Sequence, residues 1–153
     1  MPREILVEKY RSATGDESQP SEWFEISQDR VNQFADATND HQYIHVDKER
    51  AAASPFGGTI AHGFLTLSLL VDLIGEEMLV PAGVETTINY GSDKVRFLAP
   101  VRVGQRIRAR QEITDVVEKK PGQWLVSRNV VVEIEDNDKP ALIAEILLLH
   151  IVP

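Results

Sequence analysis

Two short stretches of this chain carry residue types that can move protons. The first, Asp40-His41-Gln42-Tyr43-Ile44-His45-Val46-Asp47, sets a carboxylate and an imidazole five residues apart. The second, Ile60-Ala61-His62-Gly63, stands directly ahead of a long apolar run. A carboxylate and an imidazole can hold a water and exchange its protons, and histidine does so near neutral pH because its ordinary pKa lies there. The first amides of a helix lack partners inside it, so an amide at Gly63 can face an oxygen that gains negative charge. Glycine adds no side chain to hold that oxygen off. An acid/base pair and an oxyanion donor point to an enzyme that acts on a carbonyl or thioester compound.

The elements around these stretches are expected to place them. Trp23-Phe24-Glu25-Ile26 reads as a short strand. Ser27 then caps a helix with Asp29 in its first turn and Val31, Phe34 and Ala35 on one apolar stripe, ending near Thr38-Asn39. Asp47 to Ala53 makes one or two helical turns, broken by Ser54-Pro55-Phe56-Gly57-Gly58. From Gly63 to Val80 the pattern predicts one buried helix, apolar around nearly its whole circumference and therefore wrapped by other structure. Strand patterns follow at Glu85–Tyr90, Lys94–Leu98, Arg106–Ile113, Trp124–Ile134 and Ala141–Val152, with turn signals at Pro121-Gly122 and Asp136-Asn137-Asp138. One helix followed by an antiparallel meander predicts an α+β domain whose sheet curls around that helix.

Bulk properties narrow the function. The 153 residues suit one domain, read as 1–153 with an N-terminal extension to about residue 21 that includes the polar loop Ser12–Ser21. A net charge of -8 argues against nucleic acid, whose phosphates need a surplus of Lys and Arg. The chain has no cysteine, which removes disulfide and thiolate chemistry and agrees with a reducing, cytoplasmic setting. Met1-Pro2-Arg3-Glu4-Ile5 lacks the apolar run of a signal peptide, and Asp72, Glu76 and Glu77 make Gly63–Val80 a core helix and no membrane span. His41, His45 and Asp47 lie close in sequence, but without a clean helix or a further His or Cys they make no metal site.

Three stretches together resemble the MaoC-type dehydratases, the family of R-specific (type 2) enoyl-CoA hydratases with the hot-dog fold. They are Phe34–His45, Pro55–Gly63 and Asn89–Val101, and with the order of elements the resemblance covers about Trp23 to Val152. The chain departs from the family pattern, which has Gly before the Asp and Asn-Pro two and three residues after it. Here those places hold Asn39, Gln42 and Tyr43. The resemblance implies reversible syn addition of water to trans-2-enoyl-CoA, giving the (R)-3-hydroxyacyl-CoA. It implies that Asp40 and His45 grip one water as the acid/base pair and that the Gly63 amide holds the thioester oxygen. Gln42, Tyr43, His62, Lys94 and Arg96 are candidates for substrate contact, the last two for phosphates of coenzyme A; two outward charges on a strand would look the same. No metal or other cofactor is expected, since coenzyme A enters with the substrate. The fold implies a homodimer with sheets joined edge to edge or face to face. Two other functions compete: a hot-dog thioesterase, and a non-catalytic acyl-CoA-binding subunit.

Overall fold

A computed structural model describes every residue from Met1 to Pro153. Along the chain run β1 (Arg3–Ile5), α1 (Val7–Tyr10), β2 (Phe24–Glu25), α2 (Gln28–Thr38), α3 (Tyr43–Val46), α4 (Lys48–Ala52), α5 (Gly63–Ser68) and α6 (Leu70–Gly75). Then come β3 (Leu79–Pro81), β4 (Thr86–Phe97), β5 (Arg106–Lys120), β6 (Gln123–Ile134) and β7 (Leu142–Ile151). Five strands form an antiparallel sheet in the order β2-β5-β6-β7-β4, and β1 pairs in parallel with β3 apart from it.

Period-2 alternation decides which face of the sheet is inside. On β6, Trp124, Val126, Arg128, Val130, Val132 and Ile134 are all buried. Leu65, Leu69, Leu70, Leu73 and Ile74 of the helical segment join the same core as Val130 and Val132. At roughly 1.5–3 kcal/mol for each large apolar side chain removed from water, this contact is what holds helix to sheet. The β5–β6 turn is set by Gly122 at φ 74, where a Cβ would come within 2.2 Å of the Val152 carbonyl oxygen. No side chain fits there.

The helical segment is shorter than its apolar run suggests. It is two helices jointed at Leu69, and Leu79–Pro81 is a strand. Gly75, a weak helix former, closes α6, and Pro81 cannot continue a helix. Nor is the segment covered all round, since Phe64 and Val71 are 68% and 60% exposed. The two strands expected at Glu85–Tyr90 and Lys94–Leu98 are one strand, β4. Its register with β7 shifts between Asn89 and Gly91 and again between Asp93 and Arg96, around a positive φ at Lys94. Such bulges bend a strand and re-aim its side chains.

The sheet's two edges are treated differently. Along β5 lie β2 and the N-terminal loop, with the amides of Gly15, Ser18 and Ser21 donating to Ile113, Gln111 and Ala109. The outer edge of β4 has no neighbour, and Ile88, Tyr90 and Phe97 on it are exposed. No helix is long and apolar enough to cross a membrane.

Candidate active site

The site begins at the end of α2. Ser27 caps this helix, its Oγ accepting from the Arg30 amide at 3.2 Å. The helix ends at Asn39, whose left-handed backbone (φ 60) turns the chain and presents Asp40. The Asp40 carboxylate accepts from the Gln42 amide at 3.3 Å, an Asx-turn that leads into α3. That single turn carries His45 into the interior.

His45 is held from several directions. Gln28 Nε2 donates to its backbone carbonyl at 2.8 Å, and Thr59 Oγ1 donates to Gln28 Oε1 at 2.6 Å. The Ile60 amide donates to the Ile44 carbonyl at 2.9 Å. His45 Nδ1 lies 2.7 Å from the Ile60 carbonyl oxygen. A carbonyl only accepts, so Nδ1 carries the proton and the neutral ring keeps its Nε2 lone pair free. The ring is 6% exposed. Burial pushes the His45 pKa below the ordinary 6.5; the Ile60 bond and Asp40 pull it up and His62 pushes it down, but burial dominates.

His62, the residue before α5, is 3% exposed. Its ring stacks on His45 with centroids 3.8 Å apart and planes at 22°, and Phe34 packs against it at 4.9 Å. Its Nε2 donates to the Asp40 backbone carbonyl at 3.0 Å. A carboxylate oxygen of Asp40 and a ring nitrogen from each of His45 and His62 lie within 4.8 Å of one another. One water can bridge groups at that separation, because two hydrogen bonds of about 2.8 Å span it. His45 Nδ1 and His62 Nε2 both donate to backbone carbonyls, which leaves one nitrogen of each ring without a proton.

Gly63 opens α5 beside this cluster, and its amide donates to no backbone carbonyl. The Phe97 ring stands 3.0 Å from where a Cβ on Gly63 would be. A cavity of about 230 Å³ lies here, lined by Ile60, Gly63, Phe97 and Ala99 among others. A larger groove of about 520 Å³ starts at Leu67, one turn on, and runs past Val71 and Ile74 to Tyr90 and Leu148.

The structure thus brings Asp40, His45, His62 and Gly63 together. Gln42 is exposed and engaged through its amide, while Tyr43 is half-buried under the Arg50 guanidinium, 3.9 Å above its ring. Lys94 and Arg96 are exposed on β4: Lys94 lies 3.9 Å from Glu145, and Arg96 Nη1 donates to the Val95 carbonyl at 2.7 Å. His41 turns outward to Asp36 at 2.8 Å, and Asp47 caps α4 by accepting from the Arg50 amide at 3.0 Å. The sequence reading missed Gln28, Thr59, Phe34 and Phe97 as parts of the site. A polar side chain directly after a helix cap and another before Ile60 were the available signals for the first two.

Comparison with known proteins shows the family and the fold. The model of the MaoC like domain family matches residues 9–135. The 3-hydroxyacyl-thioester dehydratase Z of Mycobacterium tuberculosis (strain ATCC 25618 / H37Rv) is 49% identical over 140 residues, which cover 92% of each chain. The (R)-specific enoyl-CoA hydratase of Aeromonas caviae is 32% identical over 98 residues, 64% of this chain and 69% of that one. The solved structure of an (R)-hydratase from A. caviae involved in PHA biosynthesis superposes with a TM-score of 0.72 at 24% identity, covering 92% of this chain and 96% of the other. The last likeness bears on the fold, a curled antiparallel sheet with a helix against it.

Proposed function

The chain belongs to the MaoC-like dehydratase family, and on that footing we propose that it adds water reversibly to trans-2-enoyl-CoA to give (R)-3-hydroxyacyl-CoA. One observation carries the reading: the Asp40 carboxylate lies within 4.8 Å of a ring nitrogen of His45, whose Nε2 is left free, and the Gly63 amide that opens the next helix is unpaired. A water held between Asp40 and His45 gives up a proton to the pair as its oxygen bonds to C3. The pair returns a proton to C2, so the elements of water are added with nothing left over. The two groups titrate as a unit. Between these events the thioester oxygen carries enolate charge, and the Gly63 N–H donates to it. A donor of this kind is worth roughly 100- to 1000-fold in rate. The chemistry calls for no cofactor besides the coenzyme A of the substrate.

The groove beyond Leu67 suits the acyl chain, with Val71, Ile74 and Leu148 as apolar lining. Lys94 and Arg96 can meet phosphates of coenzyme A from the strand that carries Phe97. A second copy of the chain completes the molecule. An open twelve-residue edge strand bearing Ile88, Tyr90 and Phe97, beside exposed Phe64 and Val71, is a surface that proteins normally cover. The open β4 edge favours sheets joined edge to edge.

The names of the two relatives support hydration over hydrolysis. The test is crotonyl-CoA under an absorbance assay for the conjugated double bond, with chiral analysis of the product and a thiol reagent alongside. Loss of absorbance, an (R)-alcohol and no free thiol are expected. Thiol release without hydration makes the protein a thioesterase, and binding with neither change makes it an acyl-CoA-binding subunit. Light scattering during chromatography is expected to give twice the chain mass.

A further inference from the structure

His62 sits where a plain apolar residue would fill space more cheaply. Its Nδ1 is buried and has no hydrogen-bond partner. An unsatisfied buried polar atom costs roughly 1–3 kcal/mol, so filling the space does not account for an imidazole here. The other nitrogen does account for it. Nε2 donates to the Asp40 carbonyl at 3.0 Å, across 22 positions of sequence. No other hydrogen bond in the chain ties residue 40 to anything outside its own short loop. The Asp40 side chain is bonded only to the amide two residues on, which shapes the turn without anchoring it.

The second contact is with the face of the His45 ring. The Gln28–Thr59 bonds and the Ile60 carbonyl fix the His45 backbone and its Nδ1. They leave the ring free to rock about that nitrogen unless something lies flat against it. The His62 ring does so at 3.8 Å, itself packed against Phe34 of α2. One side chain therefore touches both members of the pair: the backbone of the carboxylate and the face of the base.

We propose that His62 is a positioning residue which sets the distance between the Asp40 carboxylate and the His45 ring, through a hydrogen bond to the first and a stack against the second. This rests on the hydratase reading given above for the role of the pair. His62 itself passes no proton to substrate: its one N–H is committed to Asp40, and its other nitrogen is buried.

Two substitutions separate the contacts. His62→Phe keeps a flat ring against His45 and loses the donor. His62→Gln puts an amide N–H near the place of Nε2 and loses the ring. Thermal unfolding is measured for both, together with kcat and KM on crotonyl-CoA and the titration of the His45 ring by NMR. His62→Phe is expected to lower kcat by roughly 10- to 100-fold, the scale of a misplacement of about 1 Å, with KM changed by less than about threefold. His62→Gln is expected to recover part of that loss. In His62→Gln, the face of His45 opens to water and its titration moves up toward the ordinary imidazole range. The proposal is overturned if His62→Phe keeps wild-type kcat, or if His45 titrates identically in all three proteins. If the wild-type protein fails to hydrate crotonyl-CoA, the functional reading falls while the His45 titration still decides the role of His62.

Discussion

His45 and His150 are both buried imidazoles, and burial pushes both pKa values below 6.5, His150 to about 4. By that measure His150 is the more perturbed, yet its surroundings allow no chemistry. Its Nδ1 meets the Thr87 hydroxyl at 2.8 Å, its Nε2 has no partner, and its ring packs edge-on to Tyr10. The charged group nearby is Arg128, which also depresses its pKa. Arg128 is bound to neutral acceptors: Gln111 Oε1 at 2.9 Å, the Leu79 carbonyl at 2.6 Å and Tyr10 OH at 3.4 Å. Gln111 in turn donates to the Ile74 carbonyl at 3.0 Å. This second cluster therefore joins α1, the end of α6, β3 and the sheet, and it is sealed. At His45 one nitrogen is fixed by a carbonyl, the other is free, and an exposed carboxylate lies within 4.8 Å of the ring. A displaced pKa marks burial in both places; what marks the reactive site is the exposed carboxylate beside the free nitrogen.

The sharpest way to break this contrast is to mutate both clusters and ask what fails. Asp40→Asn and His45→Gln are expected to cost roughly 100- to 10,000-fold in kcat/KM, the range of acid/base groups, while unfolding stays cooperative. Steady-state kinetics on crotonyl-CoA beside thermal denaturation checks both halves. Arg128→Ala is expected to do the opposite. It leaves a cavity and strips partners from Gln111 and the Leu79 carbonyl, for a loss of about 3–5 kcal/mol of stability. Denaturant titration reads that loss, and kcat per folded molecule is expected to stay near wild type. A fall in kcat without a fall in stability would mean that the sealed cluster is wired to the site.

Legibility in the sequence followed the same division. Asp40, His45 and Gly63 could be singled out because proton transfer and oxyanion binding need those types near a helix start. The sheet could be read because burial alternates strictly on β6 and β7 and on the first half of β5, to Ile113: one face of each is core. What could not be read was tertiary. Nothing in the run Leu65–Val80 says that the helix breaks at Leu69 or that β1 pairs with Leu79–Pro81, because both depend on residues far away in the chain. His62 read as a candidate for substrate contact; that it stacks on His45 follows from how the residue before α5 lies against α3. Arg128 stood out least, since an Arg on an alternating strand ordinarily faces water and here lies on the inward side.

Acid separates the clusters a second way. The folded pKa of His150, about 4, lies below its ordinary 6.5, so the unfolded chain takes up the proton first. The stability this neutral histidine allows is whole above about pH 6.5 and is lost as pH falls toward 4. The full loss is about 3 kcal/mol, from about 1.4 kcal/mol for each pKa unit. Glu133 and Glu135 lie below 4.5, held by Arg108 and Arg110 and by Arg106, so their loss comes at still lower pH. Urea denaturation at stepped pH is expected to slope between 6.5 and 4, and His150→Gln to reduce that slope to the part that His45 contributes. Activity is expected to respond to the other histidine: the acid limb of kcat/KM falls below pH 6.5, and His150→Gln leaves it in place.

The smallest effect is expected outside both clusters. Lys94 is 83% exposed by its side chain and sits at the β4 bulge; Arg96 follows on the same exposed strand. Water and salt screen a charge placed there, so a contact to a phosphate is worth about 0.2–1 kcal/mol, against several for a group inside the site. Lys94→Gln and Arg96→Gln are therefore expected to raise KM for crotonyl-CoA by roughly two- to fivefold each and to leave kcat alone. The rise is expected to shrink as salt is added, because wild type then loses the same attraction. Crotonyl pantetheine, which has no phosphates, is the deciding control. If the variants raise KM for it as much as for the CoA ester, these cations act on the shape of the bulge and not on the phosphates.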